Sequence, residues 1–353
     1  MAASRPSLRQ TIGYWALLAA VSLWVLAIFL RPALHHVGIN DYERSRFVPM
    51  VEGTAYEPYV QRALLPLVIR GLSALVPEGG RAALTRTVEA HLFLHRVFAK
   101  LHWEPAQAHR YLLASLLMLL SYVGFAHLSA RLAIVTSGLT DDLRTRALIG
   151  VPALLGLPPF LIYTSFLYDP VQLFLFAAAL FLLATRQIAK FAGLFPLCCL
   201  NKETAVLLIP IFALMFRDLS PRSRYLGTLA WLVICYVAVK ATLILAFRAN
   251  PGAVVEQHLF DHNFHWLTRP WTLADLLGWS GVGWLLLFRW REKPRLLTTS
   301  FVCILPPLVA FALVLGYVDE WRGYYEAYPV AVGLVTDTLR RFRPVLLSGS
   351  SAG

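Results

Sequence analysis

The amino-acid sequence predicts an all-α polytopic membrane protein with about ten transmembrane helices, several of them short. Three observations carry that expectation. Of 353 residues, 58% are hydrophobic and only 15% charged, with a mean hydropathy of +0.60. Apolar runs recur that approach the roughly 20 residues needed to cross a bilayer. Those runs do not alternate apolar and polar residues, as the strands of a membrane barrel must. Inside a bilayer every backbone N–H and C=O has to be satisfied within its own segment, which makes continuous apolar runs helical.

Lys and Arg outnumber Asp and Glu by 12. In a chain this apolar, the excess reads as basic loops on the cytoplasmic side and as sites for anionic membrane lipids. No helix-turn-helix or zinc-finger spacing accompanies it, and nucleic acid is not an expected partner. Cys198, Cys199, Cys235 and Cys303 all fall in apolar runs and read as small packing residues.

Residues 12–30 form the first expected span. Arg5 and Arg9 precede it and no small-x-small cleavage pattern follows, which points to an uncleaved helix with a cytoplasmic N-terminus. Residues 31–110 form a long external loop. Within it, 63–76 is apolar but short and holds Pro66 and Arg70. Residues 83–102 are amphipathic, with Leu84, Val88, Phe93, Val97 and Leu101 at roughly helical spacing. Both are expected as interfacial amphipathic helices lying along the membrane surface.

Residues 111–128 span, 131–146 make a basic loop, 147–166 span outward and 171–185 return. The stretches 191–200 and 204–216 are short helices meeting at Asn201-Lys202-Glu203, flanked by basic turns at 186–190 and 217–224. Residues 225–247 rise, 248–272 form a second external loop, and 273–287 descend. After a basic turn at 289–295, residues 296–318 rise and 325–339 descend to Arg340-Arg341-Phe342-Arg343. One rule of orientation then serves every short loop: basic turns and both termini inside, in an inner membrane. The chain reads as a single transmembrane domain, 1–353, without a soluble domain, linker or internal repeat.

That topology collects reactive side chains on the external face. Placing Asp or Lys at the centre of a membrane helix costs roughly 2.5–3.5 kcal/mol, so Asp169, Lys202 and Glu203 need a polar setting. Asp169 opens a descending helix and Asn201-Lys202-Glu203 closes the returning one, so the two are expected to meet at one membrane face. The plainer alternative is side chains at helix ends reaching back to water. Glu43, Asp261, His262, Asp319, Glu320 and Arg322 fall on the same face.

Several short motifs resemble those of one family. They are an acid on the loop after the first helix, interfacial helices in that loop, and a Tyr168-Asp169-Pro170 turn. An Asn-[Lys/Arg]-Glu triplet and a late Asp319-Glu320-Trp321-Arg322 complete the set. Tyr59 to Pro66 also matches a Y-x-x-R-x-L-x-P element. Together they look like the GT-C superfamily of polyprenyl-phosphate-sugar-dependent glycosyltransferases, in its small bacterial form. The sequence departs from better-known members in having Asp41-Tyr42-Glu43 rather than an adjacent acid pair.

The resemblance implies that Asp41 is the general base, with Glu43 in reserve. A polyprenyl-linked sugar would be the donor and a lipid or glycan the acceptor. A lipid phosphate leaves as a stable anion, so such transfer needs a base for the acceptor and no acid for the leaving group. Arg62, Lys202 and Arg322 are candidates for the phosphate, with Lys202 expected at the membrane surface. Tyr168 belongs to the same substrate-binding set. Asp169, Glu203, Asp319 and Glu320 either order those cations, bind sugar hydroxyls or hold a divalent ion. No cofactor is required, and nothing in the spacing specifies a metal-ligand set.

His258 and His262 stand four apart, with His265 following. The glutamate of a zinc-protease motif is missing, and substrate contact through these side chains or Asn263 is the expectation. Trp266, Trp271, Trp321, Tyr324, Tyr325 and Tyr328 read chiefly as an interfacial belt. Two other functions share the composition. An O-antigen-type polymerase uses similar lipid substrates. A lipid or solute transporter would set its charges near the bilayer midplane and often carry inverted repeats.

Overall fold

The computed structural model describes residues 6–31, 38–40, 42–161, 166–252 and 259–348. Helix is the only extended secondary structure among them, in the order α1 (Leu8–Leu30), α2 (Phe47–Glu52), α3 (Leu64–Ala74), α4 (Glu78–Ala90) and α5 (Leu92–Lys100). Then come α6 (Ala108–Ser137), α7 (Leu143–Leu155), α8 (Asp169–Ala184), α9 (Ile188–Asn201) and α10 (Leu208–Met215). The chain continues through α11 (Arg222–Phe247), α12 (Phe264–Thr268), α13 (Leu273–Leu287), α14 (Arg295–Leu315) and α15 (Tyr328–Ser348). Four helical stretches are long and apolar enough to cross a membrane: α1, α11, α14 and Pro105–Ser137, which contains α6. Helices α8 to α10 are apolar but shorter.

Helix α8 sits at the centre. Its stretch L-F-L-F-A-A-A-L-F-L-L-A has no polar face, and a helix that is apolar all round is stable only when surrounded. It packs against α6, α9 and α15, while α6 in turn receives α1 and α7. Gly124 lets α6 and α8 come together. A Cβ there would stand 2.6 Å from the Phe174 ring, closer than any side chain tolerates.

Several segments differ from expectation, among them the span expected over 147–166, whose helix α7 ends at Leu155, and the one expected over 325–339, which runs on to Ser348. Helix α6 does not stop near residue 128 but runs to Ser137, where Gly138 (φ 63°) ends it in the left-handed conformation that glycine adopts without penalty. Arg131 therefore lies on a helix rather than in a basic loop. The single amphipathic helix expected over 83–102 is two, α4 and α5, broken at His91. No Gly or Pro lies between Gly80 and Pro105 to cause the break. Packing decides it: Val88 is buried from α4, while Phe98 of α5 meets Trp103 at 5.3 Å and Tyr111 at 6.1 Å. The stretch expected as the loop 248–272 contains a helical turn, Leu259–Asn263, leading into α12.

Candidate functional site

The site lies at the end of the bundle where α8 begins and α9 finishes. Asp169 opens α8 with Pro170 behind it, a good helix start because proline lacks the N–H that would go unbonded there. Asp169 Oδ2 accepts the Phe166 N–H at 3.2 Å. Arg322, in the 3-10 turn Trp321–Ala327, brings Nη1 to 4.0 Å from that carboxylate and Nε to 2.6 Å from Glu320 Oε1. Its guanidinium lies 3.8 Å over the Phe166 ring. Burial alone would weaken that charge, but Glu320 and Asp169 outweigh it and raise the Arg322 pKa above the ordinary arginine value.

Arg62 stands across from it, just before α3. It grips Glu203 with two prongs, Nη2 to Oε1 at 2.7 Å and Nε to Oε2 at 3.4 Å, and its Nη1 donates to the Tyr168 hydroxyl. Between the two arginines runs an aromatic ladder. Tyr59 stacks on Phe166 at 5.3 Å and Phe166 on Tyr168 at 5.5 Å, with Tyr42 edge-on to Tyr59 at 5.4 Å. The Arg62 guanidinium lies 4.5 Å over the Tyr168 ring. Planar cations on ring faces are attracted by the ring quadrupole and held at a set angle.

Lys202 does not sit at the surface. Its Nζ is 2.9 Å from Glu326 Oε1, and both side chains are buried. Glu326 Oε1 also accepts from Gln172 Nε2 at 3.0 Å and from the Thr204 hydroxyl at 2.5 Å. Asn201 donates to Gln172 Oε1 at 2.7 Å and to the Tyr168 carbonyl at 3.3 Å. The reason for the inward turn is dielectric: an ammonium inside a packed bundle needs a carboxylate partner, and Glu326 is the one within 3 Å of it among the described residues. The cations expected to hold phosphate are therefore each paired already, Arg62 with Glu203, Lys202 with Glu326 and Arg322 with Glu320 and Asp169.

Several buried atoms in this neighbourhood have no hydrogen-bond partner among the described residues: Asp169 Oδ1, Glu326 Oε2, Asn201 Oδ1, Gln61 Nε2 and the Tyr122 hydroxyl. Unmet polar atoms of this kind mark places that take water or a ligand's polar groups.

The remaining candidates separate. His262 Nε2 lies 2.8 Å from Asp319 Oδ1, with its ring edge-on to Tyr317 at 4.7 Å. Asn263 is fully buried and serves as a cap for the end of α14. Its amide reaches the carbonyls of Ala312, Leu313 and Gly316 at 2.7–2.9 Å, and its oxygen accepts the Val318 N–H. Those carbonyls end a helix and would otherwise go unbonded, which assigns Asn263 to structure rather than substrate. Tyr325 is buried against Phe160, and the Tyr328 hydroxyl donates to the Ala153 carbonyl. Burial, then Asp319 and Glu320, push the Tyr324 hydroxyl up to about 12, and it donates to the Val318 carbonyl. Trp321 stacks on Trp279, and Trp266 meets Trp271 edge-on. His265 and Glu43 are exposed. Asp41 and His258 lie outside the described residues.

Residues that sequence reading passed over are Glu326, Gln172, Thr204, Phe166 and Lys240, the last close enough to Glu203 to act on it electrostatically. Glu326 and Lys240 carried a signal: each is a charge inside an apolar run, the same rarity that singled out Asp169. Among the described residues, no group of three or more His, Cys, Asp or Glu is placed to hold a metal ion. Compared with known proteins, the chain matches no family model, no curated protein and no solved structure.

Proposed function

We propose that this chain is a multi-pass inner-membrane glycosyltransferase of the GT-C kind, with both termini cytoplasmic and its site on the extracytoplasmic face. It moves a sugar from a polyprenyl-phosphate-type donor to a lipid or glycan acceptor. One observation carries the reading. Arg62, Tyr168, Asp169, Glu203, Glu320 and Arg322, from separate segments, meet around one aromatic ladder at one end of the bundle. Acids beside cations, with ring faces between them, are the groups that sugar transfer from a lipid phosphate calls for.

In the reaction, the acceptor hydroxyl gives its proton to a carboxylate and its oxygen bonds to the anomeric carbon. The bond from that carbon to the phosphate oxygen breaks, and the lipid phosphate leaves with the electron pair. The resemblance gives proton acceptance to Asp41, next in sequence to Tyr42. Glu203, whose side chain is 44% exposed, is the carboxylate that an arriving phosphate displaces from Arg62. Arg322, held against Phe166 and Asp169, is the fixed cation of the pair.

The test is transfer by purified protein in lipid nanodiscs, with a panel of polyprenyl-linked sugars as donors and membrane lipid extract as acceptor. Wild type is expected to consume one donor class, and Arg322→Gln to lose roughly ten- to a hundredfold of that rate. Folded wild type that leaves every donor intact refutes the proposal.

A further inference from the structure

At the other end of the bundle, α6, α8 and α9 enclose a groove of about 410 Å³. Leu128, Phe181, Leu182 and Leu194 line it, together with the cations Arg131 and Lys190. The continuation of α6 beyond its expected end creates this arrangement. Arg131 follows Leu128 by three residues and so shares its helix face.

The polar side chains of the groove differ in what remains unspent. The Thr185 hydroxyl donates to the Phe181 carbonyl at 2.8 Å and accepts Gln187 Nε2 at 2.8 Å, so these two satisfy each other and their own helix end. The cations are not used up in this way. Arg131 Nε lies 3.9 Å from Asp141 Oδ2, while Arg146 Nε holds Asp141 Oδ1 at 2.6 Å. One carboxylate is thus shared by two arginines. Arg131 Nε is buried and has no hydrogen-bond partner among the described residues. Its guanidinium is held over the Phe181 ring at 4.6 Å, and Lys190 is exposed.

An apolar lining that also carries two cations, one of them sharing a single carboxylate with a second arginine, complements one kind of molecule, an anionic amphiphile. A free phosphate would leave Leu128, Leu182 and Leu194 bare. A zwitterionic lipid would bring its own cation against Arg131 and Lys190. We propose that this groove binds an anionic glycerophospholipid, its phosphate against Arg131 and Lys190 and an acyl chain along the leucine wall. The site is remote from the Arg62–Arg322 cluster and does not depend on what that cluster does.

The experiment uses the full chain, delipidated in neutral detergent. Phosphatidylglycerol, phosphatidylcholine and glycerol 3-phosphate are each added, and bound lipid is read by native mass spectrometry alongside the thermal midpoint. Phosphatidylglycerol is expected to stay bound and raise the midpoint, and the other two to do neither. Arg131→Gln with Lys190→Glu should weaken phosphatidylglycerol binding by roughly tenfold or more. Lys190→Glu alone alters an exposed side chain and should weaken binding in the same direction, should the double variant fail to fold. Leu194→Trp, which fills the groove and keeps both cations, should also weaken it. Equal retention of phosphatidylglycerol and phosphatidylcholine, stabilisation by glycerol 3-phosphate alone, or unchanged binding in Lys190→Glu and Leu194→Trp would overturn the proposal.

Discussion

Lys202 Nζ and Glu326 Oε1 lie 2.9 Å apart with side chains 8% and 0% exposed, which makes them a buried ion pair joining the end of α9 to the turn before α15. Neither charge could be buried there alone. Gln172 and Thr204 add hydrogen bonds to the same carboxylate oxygen. Breaking a buried pair from one side leaves the partner desolvated, at a cost of about 3–5 kcal/mol. Glu326→Gln should therefore lower the thermal midpoint of the purified protein markedly. Lys202→Met combined with Glu326→Leu should be less harmful than Glu326→Gln alone, because no charge is left stranded. A single variant that melts like wild type would remove the pair from the account of stability.

Arg62 tests the value of shape rather than charge. Arg62→Lys keeps the positive charge but loses the two-pronged grip on Glu203 and the flat contact with Tyr168. Under the proposed function, transfer should fall roughly tenfold or more. Steady-state rates with a polyprenyl-linked donor measure it, and a rate equal to wild type would make Arg62 a mere charge.

Gly124→Ala probes the core. The added methyl would meet Phe174 at 2.6 Å, and overpacking of this kind costs about 1–3 kcal/mol. Pairing it with Phe174→Leu should return much of the lost stability in a thermal melt. Failure of the second substitution to help would mean that the α6–α8 approach is limited elsewhere.

Asp141 supplies a pH signature outside the long helices. The Arg146 hydrogen bond at 2.6 Å, opposed by burial and aided by the charges of Arg146 and Arg131, holds its carboxyl below the ordinary value. A depressed pKa means stabilisation that is complete above the unfolded aspartate value and fades as pH falls through the folded one. Wild type should melt above Asp141→Asn near neutral pH, and the gap should close as the solution is acidified. The side chain is 37% exposed, so the gap will be small. A gap that widens in acid would contradict the sign.

Much of the helical layout was legible because run length and stop signals are local. Residues 273–287 form α13 with the expected bounds, and 225–247 became Arg222–Phe247. Even the overlooked end of α6 was written locally, in Gly138 and in Asp142, whose carboxylate caps α7 by accepting the Thr145 N–H. The meeting of Tyr168 and Asn201 also follows from a short connection, since α8 and α9 form a tight hairpin. Pairings across the bundle are another matter. That Lys202 turns inward to Glu326, that Arg322 lies on Phe166, and that Asn263 caps α14 depend on segments far apart in the chain. Helix periodicity states which residues are apolar but not which helix each face meets. The burial of α8 on every side sets those neighbours, and the low dielectric between them then forces each charge onto the nearest opposite one.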